Sequence, residues 1–562
     1  MGTGKTRRWG NSVARAPFAL VVALLLIVGN LGIGRATPAS ASRAHASAGT
    51  LVYPLALQTL WPGTLDPSLV TSQTDEQVIQ TVYNGLIKQV YNDKTQQFDL
   101  VPDLAAAMPT ISKNGLVYTF KIRPDAMFSD GTPVTAQDFV YSFSRVIDPK
   151  AQSGAEYYMS PIQNADAYNA GKSKTFGAKA VDTHTLQITL AQPASYFLYD
   201  MTYPTFFVVK PDLKVGAAVT TTPSLFVGAG PWMLKGGTWA YRTKISLVPN
   251  PHFAGSSNFK LKEIDYVFTG TYDTMVAGYR SGQFPMAGLP SADVKIYRGQ
   301  PDFRDTVVLG DVWYSMNVHI APFNNKHFRL AVADTINRDV ITKGVLNGTE
   351  ASQTSWYPKG ILGYDPTVTS QPGVPHFDLA LAKQELAMAL KEMGGKIPPI
   401  SFEYRSEMSD VGREAAEVQN ELKAIGINIS LHPVPRPTWI KDGNSGKAQF
   451  IWTDWYDDYP DPQDFSDYLI RTGAPENWSR YSNPMVDSLF NKGNVATDAG
   501  TRAKYYKEAQ LQILRDAAVV PVYQFATQDV ISAKVHGMEL NPSWGNNPQP
   551  VANDWTNVSV SS

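Results

Sequence analysis

Gly115-Leu116-Val117-Tyr118-Thr119-Phe120 and, a few residues on, Phe128-Ser129-Asp130-Gly131-Thr132-Pro133-Val134-Thr135-Ala136-Gln137-Asp138-Phe139-Val140-Tyr141-Ser142-Phe143 form the most informative stretch of the chain. Leu116 to Ile122 alternates in the manner of a half-buried strand. Asp130-Gly131 is a turn signal. Thr135 and Asp138 have the spacing of a capping box. The helix that follows sets Phe139, Val140, Phe143, Val146 and Ile147 on one face, and Asp148-Pro149 ends it. Thr185 to Leu190 alternates again. Residues 91–190 therefore read as a compact α+β unit.

Leu51 to Ala56 opens a sheet upstream of that unit, and Leu65-Asp66-Pro67 makes a turn. Val70 to Gln73 reads as a short extended piece. Thr74 with Gln77 is expected to cap a helix carrying Val78, Ile79, Val82, Tyr83 and Leu86, with Gly85 near its stop. Downstream, Lys244–Val248 and Ile264–Thr269 are expected strands. Phe323 to Val345 is expected to hold a helix with Phe328, Val332, Ile336, Val340 and Ile341 on one face. Asp378 starts another helix. Ile400–Tyr404 is a strand. A helix through Val411, Ala415, Val418, Leu422 and Ile425 stops at Gly426, and Ile427, Ile429 and Leu431 alternate directly after it. That strand–helix–strand order predicts parallel pairing. Thr501–Leu514 is the last helix and Ala518–Phe525 the last strand.

Trp452-Thr453-Asp454-Trp455-Tyr456-Asp457-Asp458-Tyr459-Pro460-Asp461-Pro462 concentrates aromatics and aspartates. Gln449 to Trp452 reads as a strand, and the two prolines end strand pairing. Aromatic walls and a carboxylate at a strand's end suit an amine-bearing ligand, through a π face and a charge-assisted hydrogen bond. An acidic surface loop with two core tryptophans is the open alternative. A carboxylate-pair hydrolase using Asp454, Asp457, Asp458 or Asp461 is a further one. The spacing of these aspartates does not fit an EF-hand.

With 562 residues, 18% charged and 11% aromatic, the chain is long enough for several cores and is not of disordered composition. A formal net charge of −1 gives no case for nucleic-acid binding. Lys5, Arg7, Arg8 and Arg15 precede an apolar run from Phe18 to Val28. Ala39-Ser40-Ala41, Ala44-His45-Ala46 and Ala46-Ser47-Ala48 follow as possible cleavage sites, the layout of a secretory signal. An uncleaved anchor extending toward Ile33 is the alternative. The sequence has no cysteine, which excludes disulfides, thiol catalysis and a lipid-modified cysteine. Gly2-Thr3-Gly4-Lys5-Thr6 lacks the upstream glycine and strand of a phosphate-binding loop.

The run from Gly115 to Pro149 closely resembles the signature of the extracellular solute-binding proteins of ABC importers, family 5, the oligopeptide/dipeptide/nickel type. Further matching motifs occur in order. They are Leu65-Asp66-Pro67, Gly85-Leu86, Val101-Pro102-Asp103-Leu104-Ala105, Gly228-Ala229-Gly230-Pro231-Trp232, Asn250-Pro251, Arg329 with Asn337-Arg338, Tyr481-Ser482-Asn483-Pro484 and Ala518-Val519-Val520-Pro521-Val522-Tyr523. The oligopeptide-binding branch is the most similar. The resemblance implies a mixed α/β, two-lobed periplasmic-binding-protein-like fold with a hinge and cleft, and an extra domain inserted in the first lobe. Lobe I would comprise 49–83, 210–310 and 523–562, the insert 84–209 and lobe II 311–522, after a signal or anchor over 1–48.

It also implies a peptide lying extended in the cleft, paired through its main chain with Val70, Thr71, Ser72 and Gln73 and with Trp452, Thr453, Asp454, Trp455 and Tyr456. Relatives hold the peptide amine with an aspartate three residues after a tryptophan, here Asp458 after Trp455. Tyr157, Asn477, Tyr523 and Phe525 complete the implied ligand set, and Asp457 and Asp461 are expected to face solvent. Relatives hold peptide C-termini with bases whose positions here are Ala333, Val411, Gly443 and Trp452, so capture of a carboxylate there is not expected. Trp452 instead suggests a longer, capped or aromatic ligand. No cofactor, no metal site and no enzymatic activity are implied. The expected partners are a peptide and the membrane permease, with the protein itself an exported monomer. A nickel or haem ligand and a peptide-sensing role stay open as alternatives. Mass measurement of the mature N-terminus is expected to show residues 1–41 removed, and their retention would mean an anchor.

Overall fold

The computed structural model describes residues 49–56, 61–70, 72–92, 94–95, 97–538, 542–543 and 555–561. The expected signal segment and Thr71 lie outside the described residues.

β1 (Thr50–Leu55) lies parallel to β5 (Glu263–Phe268), which pairs antiparallel with β4 (Lys244–Pro249). α1 (Gln73–Val82) follows the first strand. The α+β unit read from the sequence contains β2 (Val117–Lys121), α2 (Ala136–Val146) and β3 (Thr185–Thr189), with β2 and β3 antiparallel. The capping box forms. Asp138 N–H donates to Thr135 Oγ1 at 3.3 Å, and Thr135 N–H donates to Asp138 Oδ2 at 2.8 Å. At the other end of α2, Arg145 grips Asp66 bidentately at 2.8 and 2.5 Å, with both side chains buried. That pair ties the capped helix to the turn after β1.

The second half of the chain is built on β6 (Phe303–Met316), a 14-residue strand. α3 (Lys326–Thr335), α4 (Leu379–Glu392), β7 (Ile400–Arg405), α5 (Ser409–Ala424), β8 (Ile429–Val434), α6 (Arg436–Ser445), β9 (Phe450–Tyr456), α7 (Pro462–Asp467), α8 (Ala499–Asp516) and β10 (Val519–Ile531) follow. One sheet runs Met286–Gly288, β10, β6, β9, β7, β8, and Ala351–Ser352 also pairs with β10. β7 and β8 are parallel, as the strand–helix–strand order predicted. β6 is antiparallel both to β10 and to β9.

Three local expectations are corrected. The helix α1 starts at Gln73 after an extended Ser72, so Thr74 is not its cap and Gln73 is not in a strand. Asp75, in the first turn, accepts instead from Gly63 N–H and Thr64 N–H at 2.9 and 3.1 Å. The helix expected across Phe323–Val345 breaks after Thr335, because Arg338 donates to the carbonyls of Gln353 and Pro521 at 3.0 and 2.7 Å. β9 runs on to Tyr456, because β6 pairs with it residue by residue from Met316–Phe450 to Gly310–Tyr456. Gly310 permits that approach, since a Cβ there would lie 2.8 Å from the Trp455 carbonyl oxygen.

Removing one partner of a buried ion pair strands the other charge. Arg145→Ala is expected to lower stability by roughly 3–5 kcal/mol, and Arg145→Leu with Asp66→Leu by clearly less. Urea unfolding followed by circular dichroism measures both, and equal losses would place the cost in packing rather than charge.

Candidate ligand-binding cleft

β9 has one paired edge and one open edge. β6 covers the first over the whole strand, whereas β7 pairs only with Phe450 and Ile451. Among the described residues no strand continues along Trp452–Tyr456 on the β7 side. A stretch of backbone that no strand pairs with is a template for strand addition.

The side chains of β9 divide between core and cleft. Trp452 is fully buried, its indole N–H donating to Glu414 Oε2 at 3.2 Å. Glu414 also receives the hydroxyls of Tyr314 at 2.6 Å and Tyr523 at 2.9 Å. The Trp452 and Tyr523 side chains are thus tied into one buried acceptor. Thr453 is buried and donates to Ser315 Oγ at 3.1 Å. Asn477 spends its amide on the carbonyls of Ile470, Arg471 and Tyr481. Phe525 stacks on Tyr456 with centroids 4.5 Å apart. Val70 is buried, and its carbonyl accepts from the Tyr203 hydroxyl at 3.4 Å. Gln73 Nε2 is buried with no partner.

Asp458, Trp455 and Tyr157 are brought together. Asp458 accepts from the Tyr158 hydroxyl, and Tyr157 donates to Tyr158 at 3.1 Å. Trp455 Nε1 donates to Asp464 Oδ2 at 3.1 Å, as does the Asp458 N–H. The rings of Tyr157, Tyr158, Tyr203 and Tyr468 pack as a cage, with Tyr158 and Tyr203 centroids 4.3 Å apart and Tyr157 and Tyr468 4.5 Å apart. Asp457 and Asp461, expected in solvent, are both buried. Asp457 Oδ2 accepts from Ser543 at 2.6 Å. Arg502 holds Asp461 bidentately at 2.9 Å, which anchors the start of α7 to α8.

Asp458 is only partly covered, as suits a group lining a cleft. Burial among protein atoms raises its carboxyl to about 7; the Tyr158 hydrogen bond opposes the rise and the Glu476 charge adds to it. Burial and then the Asp458 charge push Glu76 and Asp464 well above the usual carboxylate range. Asp457 Oδ1 and Asp464 Oδ1 have no hydrogen-bond partner. The result is a cluster of mutually raised carboxyls among tyrosine rings, an arrangement that suits a cation. Sequence reading missed Glu76, Tyr158, Tyr203, Asp464 and Tyr468. They come from α1, two short turns, α7 and its flank, and carry no shared local pattern.

It missed two bases as well. Arg405, the last residue of β7, has its Nη1 3.6 Å from Asp454. Arg436, the first of α6, acts electrostatically on Asp454, Asp75 and Glu476. A charged residue ending a parallel strand is the available signal for Arg405.

Residues 99–477 match the family described as bacterial extracellular solute-binding proteins, family 5 Middle. The chain belongs to that family. It is 27% identical to the periplasmic murein peptide-binding protein MppA of Escherichia coli, over 87% of this chain and 90% of that protein. It is 27% identical to the periplasmic oligopeptide-binding protein OppA of E. coli, over 94% and 96%, and 28% identical to that organism's probable deoxycholate-binding periplasmic protein YgiS, over 87% and 90%. The solved murein tripeptide-binding protein MppA of E. coli superposes with a TM-score of 0.78 at 26% identity, covering 92% of this chain and 99% of that one. OppA of Burkholderia pseudomallei gives 0.77 at 25%, covering 92% and 100%. The fold is the mixed α/β, two-lobed fold of periplasmic peptide-binding proteins. The family is extracytoplasmic, and no helix among the described residues is long and apolar enough to cross a membrane.

A carboxyl raised from about 3.9 in the unfolded chain keeps its proton in the folded state between roughly pH 4 and pH 7. The unfolded chain has lost that proton, so this group makes stability fall as pH rises through the window and level off above it. The unfolding midpoint of Asp458→Asn is expected to decline less steeply than wild type across that range, by circular dichroism. Identical slopes would mean that Asp458 is not the raised group.

Proposed function

We propose that this protein is the oligopeptide-receiving component of an ABC importer, binding its solute without transforming it. The observation that carries the reading is the acid-and-tyrosine cage around Asp458 at the end of the open edge of β9. The edge offers main-chain hydrogen bonds, indifferent to side-chain identity, and the cage offers a counter-charge for the peptide amine. The family and its peptide-named relatives support it. Asp454 is paired with Arg405 and Asp461 with Arg502, which argues against a hydrolytic pair among the motif's aspartates.

The lobes follow the division 49–83, 210–310 and 523–562 against 311–522, with 84–209 inserted. In support, the boundaries at 310/311 and 522/523 fall where β6 and β10 pair, with Asp311 opposite Gln524 and Val312 opposite Tyr523. These strands form the hinge. A ligand touching α1 on one lobe and β9 on the other favours the closed form, which docks on the permease. The protein acts as an exported monomer, its signal segment removed.

Calorimetry with a free-amine peptide and its N-acetyl derivative tests the reading. Asp458→Asn is expected to weaken the free-amine peptide by roughly 2–5 kcal/mol, the cost of breaking a buried charge pair. The acetylated peptide is expected to bind wild type poorly and to lose little further on the variant, so the cycle isolates the coupling. Small-angle scattering is expected to show compaction on binding. Equal affinities of the free-amine peptide for both proteins would remove Asp458 from the site.

A further inference from the structure

A separate cavity lies at the other end of α1. Glu76, in the first turn of that helix, stands at the tyrosine cage. Gln80 and Tyr83, one and two turns on, line a cavity of about 310 Å³. Thr202 lines it too, while its neighbour Tyr203 packs in the cage 4.3 Å from Tyr158. One helix and one turn thus border both places, yet among the described residues no member of the cage lines the cavity. Small-molecule sites occupy about 300–1,000 Å³, so the space suits a small ligand.

One wall of the cavity is aromatic and fixed. Trp555 is fully buried and packs edge-on against Trp232, with centroids 5.7 Å apart, and Trp232 stacks on Phe259 at 5.4 Å. Trp555 and Phe259 line the cavity with Phe207 and Phe253. The other wall is polar and unevenly charged, with Lys88, Asp103 and Arg123. Asp103 Oδ2 already accepts from Asn84 Nδ2 at 2.6 Å. Burial raises the Asp103 carboxyl, while Lys88, the Asn84 bond and Arg123 oppose the rise, so two cations face one carboxylate. Arg123 Nε is buried with no hydrogen-bond partner, and Asp125 Oδ1 stands 3.8 Å from it. Among the described residues the Lys88 ammonium makes no hydrogen bond and no ion pair. Trp555 Nε1, Gln89 Oε1 and the Tyr83 hydroxyl are buried without partners too, which leaves the surplus in donors and in positive charge. Buried polar groups without partners are rare in folded proteins.

We infer that this cavity is a second binding site, taking a small organic carboxylate with an aromatic body. Lys88 and Arg123 receive the carboxylate, and the ring lies against Phe207, Phe253 and Trp555. Part-buried cations without partners cost free energy, and an anion recovers it. A neutral or cationic solute would leave both cations unmatched, and a bare inorganic anion would leave the aromatic wall against water. The site stands apart from the peptide cleft and does not depend on the reading given for it.

The test is calorimetry on the full protein with benzoate, phenylacetate and cinnamate, each beside its neutral carboxamide. At least one carboxylate is expected to bind, and roughly tenfold or more tighter than its amide, the worth of one charge-assisted hydrogen bond. Lys88→Gln and Arg123→Gln are each expected to reduce that preference, and the double substitution to abolish it, with amide binding unchanged. Both side chains are partly exposed and make no hydrogen bond, so circular dichroism is expected to show the variants folded. Asn258→Trp, at an exposed position that lines the cavity, is expected to exclude acid and amide alike. No carboxylate bound at millimolar concentration, or equal affinity for acid and amide, would overturn the inference. So would a preference that survives the double substitution, or binding unchanged in Asn258→Trp.

Discussion

Two-sided pairing of β6 is the constraint on which the rest of the molecule depends. From Gly310 to Met316 the strand pairs with β9 on one edge, and it pairs with β10 on the other along most of its length. This places the long β10 beside it and leaves β9 with one edge to offer. Side chains then sort by face. Trp452 and Tyr523 turn to Glu414 on the buried side, and Trp455 turns toward Asp464 and the cleft. Gly310 is where the packing is tightest, against the Trp455 carbonyl and the Tyr456 ring.

Some buried carboxylates that hold the fold are matched by guanidinium groups, as Asp66 by Arg145 and Asp461 by Arg502, while Glu414 is held by hydroxyl and indole donors. The carboxylates around the tyrosine cage have no such match. Burying them without a base costs stability, and the cost is met in part by holding protons.

Much of the framework was legible locally. The capping box of α2, the parallel β7–α5–β8 unit and the strands β1 to β5 correspond to periodicity and turn chemistry within a few residues, whereas the long β6 was not read from the sequence. Expectations failed where a distant group competed. Arg338 reached two carbonyls outside its own helix and broke it, and β6 lengthened β9 beyond its own pattern. Asp457 and Asp461 were expected in solvent because aspartate is usually solvated. Arg502 and Ser543, 41 and 86 residues from their aspartates, are what bury Asp461 and Asp457.

The sequence by itself determined many of the elements, their order and the family, because these rest on short-range hydrogen bonding, apolar spacing and ordered motifs. It singled out Asp458 through its distance from Trp455. Only the tertiary structure decided which aromatics face the cleft, since a tryptophan in a strand reads the same whether its neighbour is a buried glutamate or a ligand. Only the tertiary structure set Glu76, Asp464 and Tyr158 beside Asp458, and Arg405 beside Asp454. Each comes from a different element, and electrostatic interaction depends on distance in space, which chain order does not encode.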